Sequence, residues 1–379
     1  MGKRQLVSLF FCSLVPWIVG NGLIPLLPIY ASQLGANAAV SGFYLAISYL
    51  ALALGALSAG WVTGRFHRHQ PPLIIAGLVG IPASWLMGHV STIAELTALT
   101  AILWFFGGLG MALIGILAGL SASENERGKI FGILALTSGL GAFIGNLGIG
   151  WLVDRWGYST MFNVLAIFLV FWPLIALFLE DKEVKRSGLE NVQGQKSASL
   201  GKSFYFLFTA SILASVTGFF IVLMRSLLMD NLEFSPLEIS STGAMGGLIA
   251  LPFPLVMGWL SDRIGRKTFL FLGYLSALVS IAVLAFSKML WNFWVALALQ
   301  GIATGSNGIG NALVTDLIPR ESVGKGLAIF NSGMWIGGVI GFITAGYILQ
   351  NLGFLLAFII GGCLVVVSLG LLIPIQNRQ

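Results

Sequence analysis

From Leu96 to Leu120 the chain reads "LTALTAILWFFGGLGMALIGILAGL" without one charged residue. Apolar runs of similar length recur along most of the 379 residues. A bilayer core about 30 Å thick is crossed by about 20 apolar residues in a helix, so each run can span one. Composition agrees: 57% of the residues are hydrophobic and 9% are charged, against about 25% charged in soluble domains. At this length a single water-soluble core cannot hide so much apolar surface. In lipid, only helices and closed barrels satisfy every backbone hydrogen bond. Barrel strands alternate polar and apolar positions over about ten residues, whereas these runs are continuous. The expected fold class is an all-α membrane protein.

Spans are expected at 6–31, 41–64, 71–91, 95–121, 129–153 and 160–179, then at 203–228, 238–260, 268–287, 291–316, 325–349 and 353–375. Twelve spans put both termini on one side. Of the 20 Lys and Arg residues, all but Arg155, Arg225 and Lys288 fall on that side. Positive charge collects in cytoplasmic loops, so both termini are expected in the cytoplasm and the membrane is the cytoplasmic (inner) one. The same asymmetry accounts for the net charge of +6 without a nucleic-acid partner. The first run follows Lys3 and Arg4 but continues to about Tyr30 without a small-residue cleavage site, which makes it a retained span. The stretch 180–203, "EDKEVKRSGLENVQGQKSASLGKS", is polar and too short to fold alone; it reads as a flexible linker. The expected organisation is a six-helix bundle over 1–179, the linker, and a second bundle over 204–379.

The two halves repeat. A shift of 198 residues lays "GWVTGRFHRH" (60–69) on "GWLSDRIGRK" (258–267) and "LGANAAVSG" (34–42) on "LEFSPLEIS" (232–240). A shift of 196 lays Gly141, Gly145, Gly150 and Gly157 on Gly337, Gly341, Gly346 and Gly353. Two parallel six-helix repeats imply pseudo-symmetric bundles about an axis along the membrane normal, with a solute site near the midplane exposed to each side in turn.

"GWLSDRIGRK" resembles the signature loop of the major facilitator superfamily, of the form G-x-L-x-D-R-x-G-R-K. "GWLVDRWGYSTMF" (150–162) and "GYILQNLGFLLAF" (346–358) resemble its connections between fifth and sixth and between eleventh and twelfth helices. The resemblance covers essentially the whole chain and implies the twelve-helix fold, a secondary transporter, and a gating role for the loop. Carried onto this sequence, it assigns a cytoplasmic clasp to Gly258, Asp262, Arg263, Gly265, Arg266 and Lys267. The first copy keeps Arg65 and Arg68 but has Gly64 where the acid belongs and His67 where the second Gly belongs; Arg65 and Arg68 could pair with Glu124 or Glu126. Two departures concern coupling. "WFFGGLG" places Trp104 where proton-coupled members often have Arg, and "GAFIGNLGIG" (141–150) has Asn146 where drug antiporters often have Pro.

A charge near the bilayer midplane is costly, so it usually marks function. None of the twelve runs carries Asp or Glu at its centre, which argues against a proton carrier there. Arg225, in "FFIVLMRSLLMD", has two readings: it snorkels or pairs with Asp230, or it contacts an anionic group of the solute. Neutral cavity candidates are Asn21, Tyr49, Asn307, Asn311, Asn331 and Trp335, with Tyr44 and Trp17 as further aromatic walls. Asn307 with Asn311, and Asn331 with Trp335, share helix faces by their four-residue spacing; interhelical packing is the competing reading for each. "GLGAFIG" (139–145) follows no strand and reads as helix packing rather than a dinucleotide loop. The sequence has no P-loop, no zinc-site pattern among its three His, no close cysteine pair and no catalytic constellation, so no enzyme activity, metal or cofactor is expected. The expected function is alternating-access transport of a small organic solute, with efflux of an amphipathic or lipophilic compound favoured, a proton or ion as possible co-substrate, and one chain as the working unit. An uptake facilitator for a nutrient or organic anion, or a non-transporting membrane sensor or assembly factor, are the alternatives.

Overall fold

The computed structural model describes residues 2–66, 68–122, 126–181, 200–252, 256, 260–261, 263–319 and 322–375, with the backbone alone at Arg127, Gly128 and Asn307. Among these residues there is no strand, and the helices are α1 (Lys3–Leu23), α2 (Leu27–Gln33), α3 (Ala38–Phe66), α4 (Gln70–Met87), α5 (Ile93–Ser121), α6 (Arg127–Leu169), α7 (Phe171–Ala176), α8 (Gly201–Asn231), α9 (Pro236–Ala250), α10 (Arg266–Ala285), α11 (Leu290–Gly305), α12 (Asn307–Leu317) and α13 (Val323–Leu372). Among the described residues, eight segments are long and apolar enough to cross a membrane. With the bent α6 and α13 each counted as two, and with α9 and the α11–α12 pair, they are consistent with the expected twelve.

Local chemistry explains the breaks. The first span is two helices, because Pro25 and Pro28 cannot donate to the helical ladder and Pro28 opens α2. The long helices α6 and α13 each bend at one residue: Gly157 has φ 75°, ψ 174° and Gly353 has φ 75°, ψ 176°. Only glycine adopts that backbone cheaply, and the two sit 196 positions apart. Helix starts repeat too. Asn37 Oδ1 accepts from Val40 N at 2.9 Å. Ser235, 198 positions on, accepts from Glu238 N at 3.3 Å while Glu238 accepts from Ser235 N at 2.8 Å. Glu95 forms a like capping box with Thr92. Glu95 and Glu238 therefore serve as caps, which satisfy otherwise orphaned N–H groups.

Packing divides the helices into two units. One comprises Met1–Ala36, Ile47–Gly188 and Phe234–Ala244; the other comprises Asn37–Ala46, Leu189–Glu233 and Met245–Gln379. Within the first, α6 packs along α1 with Gly141 against Trp17 and Gly145 against the Ile18 carbonyl. Within the second, α13 packs along α8 with Gly337 against Ser215 and Gly341 against the Val216 carbonyl. Each is the other's repeat, and a Cβ at any of the four would collide. The segment around Gly42 packs on Gly346 and Phe342 in the second unit, and the segment around Ser240 packs on Gly150 in the first. Small residues permit such approaches in lipid, where packing rather than the hydrophobic effect holds helices together. Large apolar side chains are exposed instead, among them Leu57 (77%), Ile167 (70%) and Phe286 (81%), as a lipid-facing surface requires.

Candidate substrate-binding and gating residues

A polar stripe runs down the tenth pass. Gln300, Thr304 and Asn311 recur at spacings of four and seven, which place them on one face across α11 and α12. Asn307 belongs to the stripe by its spacing, although its side chain lies outside the described residues. The buried Gln300 Oε1 and Asn311 Oδ1 have no hydrogen-bond partner. Between them the pass is jointed: α11 ends at Gly305, and Ser306 N is shared between the Ile302 and Ala303 carbonyls at 3.2 Å each. Ser306 fits tightly against Gly273 of α10, which fixes the joint. Gln300 and Thr304 were missed from the sequence, although the seven-residue step from Gln300 to Asn307 was there to be seen.

Arg225 lies on α8 and is only 3% exposed. It is the one charged residue buried within a membrane-spanning helix among the described residues. Its guanidinium does not snorkel, and it makes no ion pair with Asp230 among those residues. The helix explains this: five positions place Asp230 about 140° around the axis. Arg225 Nε has no partner. The nearby hydroxyls are spent on backbone, Thr217 on the Leu213 carbonyl at 2.9 Å and Ser226 on the Val222 carbonyl at 3.1 Å.

In the first unit, Tyr49 (9% exposed) packs against Trp104 (6% exposed) with ring centroids 5.3 Å apart. Trp104, at the position expected to depart from the Arg pattern, is thus a buried aromatic. Asn21 Nδ2 donates to the Ser138 carbonyl at 3.2 Å. Asn146 Nδ2 donates to the Ala142 carbonyl at 2.7 Å, its Oδ1 is unpartnered, and it touches Gly243. In the second unit, Asn331 Nδ2 donates to the Leu327 carbonyl of its own helix at 2.9 Å and is exposed, with Trp335 half-buried one turn on.

Of the cytoplasmic clasp, Gly258 and Asp262 lie outside the described residues, as do His67 and Glu124. Gly265 has φ 111° and starts α10. Arg266 Nη1 donates to both carboxylate oxygens of Asp316 at 2.9 and 3.0 Å and to the Ala312 carbonyl at 2.8 Å. Lys267 Nζ donates to the Ile373 and Ile375 carbonyls at 2.7 Å each, closing the end of α13. Arg65, Arg68 and Arg263 are exposed. The equivalent of Lys267 in the first copy is His69, and it too reaches the end of its half's sixth pass: Nδ1 lies 3.2 Å from Asp181 Oδ1. Asp181 Oδ2 also accepts from the backbone N–H groups of His69 (2.7 Å) and Gln70 (2.8 Å). Asp181, from the end of the first half's sixth pass, thus caps the start of α4.

Among the described residues, the polar groups inside the helices are amides, hydroxyls, aromatics and one buried cation. The sequence model of the Major Facilitator Superfamily matches residues 9–228 and 206–379, and the chain belongs to that family. It is an integral membrane protein and a secondary transporter of small molecules, not an enzyme. Curated relatives include the multidrug resistance protein MdtG of Klebsiella pneumoniae, 25% identical over 89% of this chain and 85% of that protein, and its namesake in Serratia proteamaculans, 30% identical over 75% and 72%. Among solved structures, the nucleoside transporter NupG superposes with a TM-score of 0.79 at 14% identity, covering 99% of this chain and all of NupG; the likeness is one of fold.

Proposed function

We propose that this protein exports amphipathic or lipophilic organic compounds across the cytoplasmic membrane by alternating access. Similarity to multidrug efflux proteins along nearly the full chain carries the reading. An aromatic pair and neutral amides facing an acid-poor interior suit solutes of that kind. The two six-helix halves, 1–179 and 204–379, would be the moving bodies, joined by 180–203, with both termini cytoplasmic as the Lys and Arg distribution requires. One chain suffices, since each half carries a complete repeat. Asn21, Tyr49, Arg225, Asn307, Asn311, Asn331 and Trp335 are the proposed solute contacts, together with Gln300. The clasp assigned to Gly258, Asp262, Arg263, Gly265, Arg266 and Lys267, with Arg65 and Arg68 in the first copy, would open and close the cytoplasmic side. No Asp or Glu is buried within a described membrane helix, so a coupling proton would not be carried on a midplane carboxylate.

Purified protein in liposomes tests the reading. Flux of lipophilic dyes is measured with and without a pH gradient. Gradient-driven flux identifies an antiporter, gradient-independent flux identifies a facilitator, and no flux across a broad solute panel identifies a non-transporting protein.

A further inference from the structure

Arg225 is a buried cation with no counter-charge among the described residues, and it needs a physical account. An isolated charge taken from water into a low-dielectric interior is strongly disfavoured unless it is paired and hydrogen-bonded. Among the described residues there is no paired acid, and Arg225 Nε is left without a hydrogen bond. A long side chain on a helix leans toward that helix's N-terminus, which carries the guanidinium of Arg225 toward the level of Gly218. Gly218 is two turns earlier on the same face, about 10 Å along the axis. Facing it is Gln300 of α11, whose Nε2 lies 3.5 Å from where a Cβ at Gly218 would be. The absent side chain at 218 leaves room beside that amide. The Gln300 side chain makes no hydrogen bond to a described residue, and its Oε1 is buried and unsatisfied. Two helices of the second unit therefore carry polar groups with atoms left unsatisfied: the Arg225 guanidinium at Nε, suited to a planar two-oxygen anion, and the Gln300 amide at Oε1, with its Nε2 turned toward the space at Gly218.

We propose that Arg225 and Gln300 form an anion subsite, and that the solutes this protein carries include amphipathic carboxylates. The inference rests on the transporter reading above and narrows its substrate class. The carboxylate takes the charge-assisted bonds of Arg225 and the amide donor of Gln300, and the apolar body of the solute lies along the helices. Binding then removes the penalty of the lone cation, so the occupied protein is the more stable one.

The test uses the whole purified protein and a matched pair of probes, 1-naphthylacetate and its neutral amide, 1-naphthylacetamide. Calorimetric affinities and unfolding temperatures are measured for the wild type, Arg225→Gln and Gln300→Leu. In the wild type the carboxylate is expected to bind about tenfold more tightly than the amide, or better, as a charge-assisted bond allows, and it alone raises Tm. Arg225→Gln should abolish the preference, keep binding of the amide, and raise the ligand-free Tm because an uncompensated charge has gone. Gln300→Leu should weaken carboxylate binding and spare the amide. Equal affinities in the wild type, a preference that survives Arg225→Gln, or a ligand-free Tm several degrees below wild type in Arg225→Gln would each overturn the proposal. The last result would mean that the guanidinium serves the fold. The dye-flux assay fails or succeeds independently of these outcomes, so loss of the anion subsite leaves the transporter reading standing.

Discussion

Asp181 holds His69 at two points: its Oδ2 takes the backbone N–H at 2.7 Å, and its Oδ1 lies 3.2 Å from the ring Nδ1. Both side chains are almost fully buried, at 1% and 4% exposure. One residue thus caps α4 and ties it to the end of the sixth pass.

Asp181→Ala should destabilise the protein by about 1–2 kcal/mol, the usual worth of a lost N-cap, with the unpaired His69 ring adding to the loss. Asp181→Asn keeps an oxygen for the cap and should recover more than half of it. Thermal unfolding in detergent checks the ranking. Equal losses for Ala and Asn would place the stabilisation in the His69 contact rather than the cap.

The pair between Arg266 and Asp316 predicts a different balance. Its side chains are 28% and 43% exposed, so solvent screens it and its stability contribution is about 1 kcal/mol or less. If it belongs to the cytoplasmic clasp, Asp316→Asn should lower transport several-fold with Tm almost unchanged. Liposome flux beside an unfolding curve reads both numbers. A large Tm loss with transport preserved per folded molecule would make the pair structural.

The two bend glycines predict matched backbone effects. Neither Gly157 nor Gly353 has an atom within 4 Å of a Cβ position, so alanine there meets no clash. Its cost is conformational, about 1–3 kcal/mol for a backbone region that is essentially glycine's alone. Gly148 is equally open and lies within helical α6, and Gly148→Ala should be neutral or stabilising by up to about 1 kcal/mol. Unfolding temperatures of the three single variants decide the point.

The glycine stripe predicts clashes instead. Gly145→Ala would drive a methyl into the Ile18 carbonyl, and Gly341→Ala into the Val216 carbonyl. Overpacking of this kind costs about 1–3 kcal/mol. Gly132 has open space, so Gly132→Ala provides the control. If all three variants melt together, the close helix contact is not what these glycines serve.

Much of the fold was legible because its determinants are local or periodic. Continuous apolar runs state the solvent, and the glycine register repeats the same bend at Gly157 and Gly353. Less of the site was legible. Arg225 stood out as a charge within a span, but its lack of an ion-pair partner among the described residues depends on which side chains surround it. Gln300 carries no local signal beyond its spacing from Asn307, and it gains interest only because Gly218 of another helix faces it. The first span's break at Pro25 could have been read from its prolines.

The sequence by itself determined the membrane, the twelve passes, the duplicated half and the charge asymmetry, because hydropathy, charge and repeat register are properties of residues in order. Only the tertiary structure decided how the second loop's Arg266 and Lys267 are spent, that Asp181 caps α4 and holds His69, and that Arg225 stands buried without an ion-pair partner among the described residues. Those outcomes join residues up to 112 positions apart. Pairing at that range is set by how helices pack and which donors are left over, and neither quantity exists until the chain has folded.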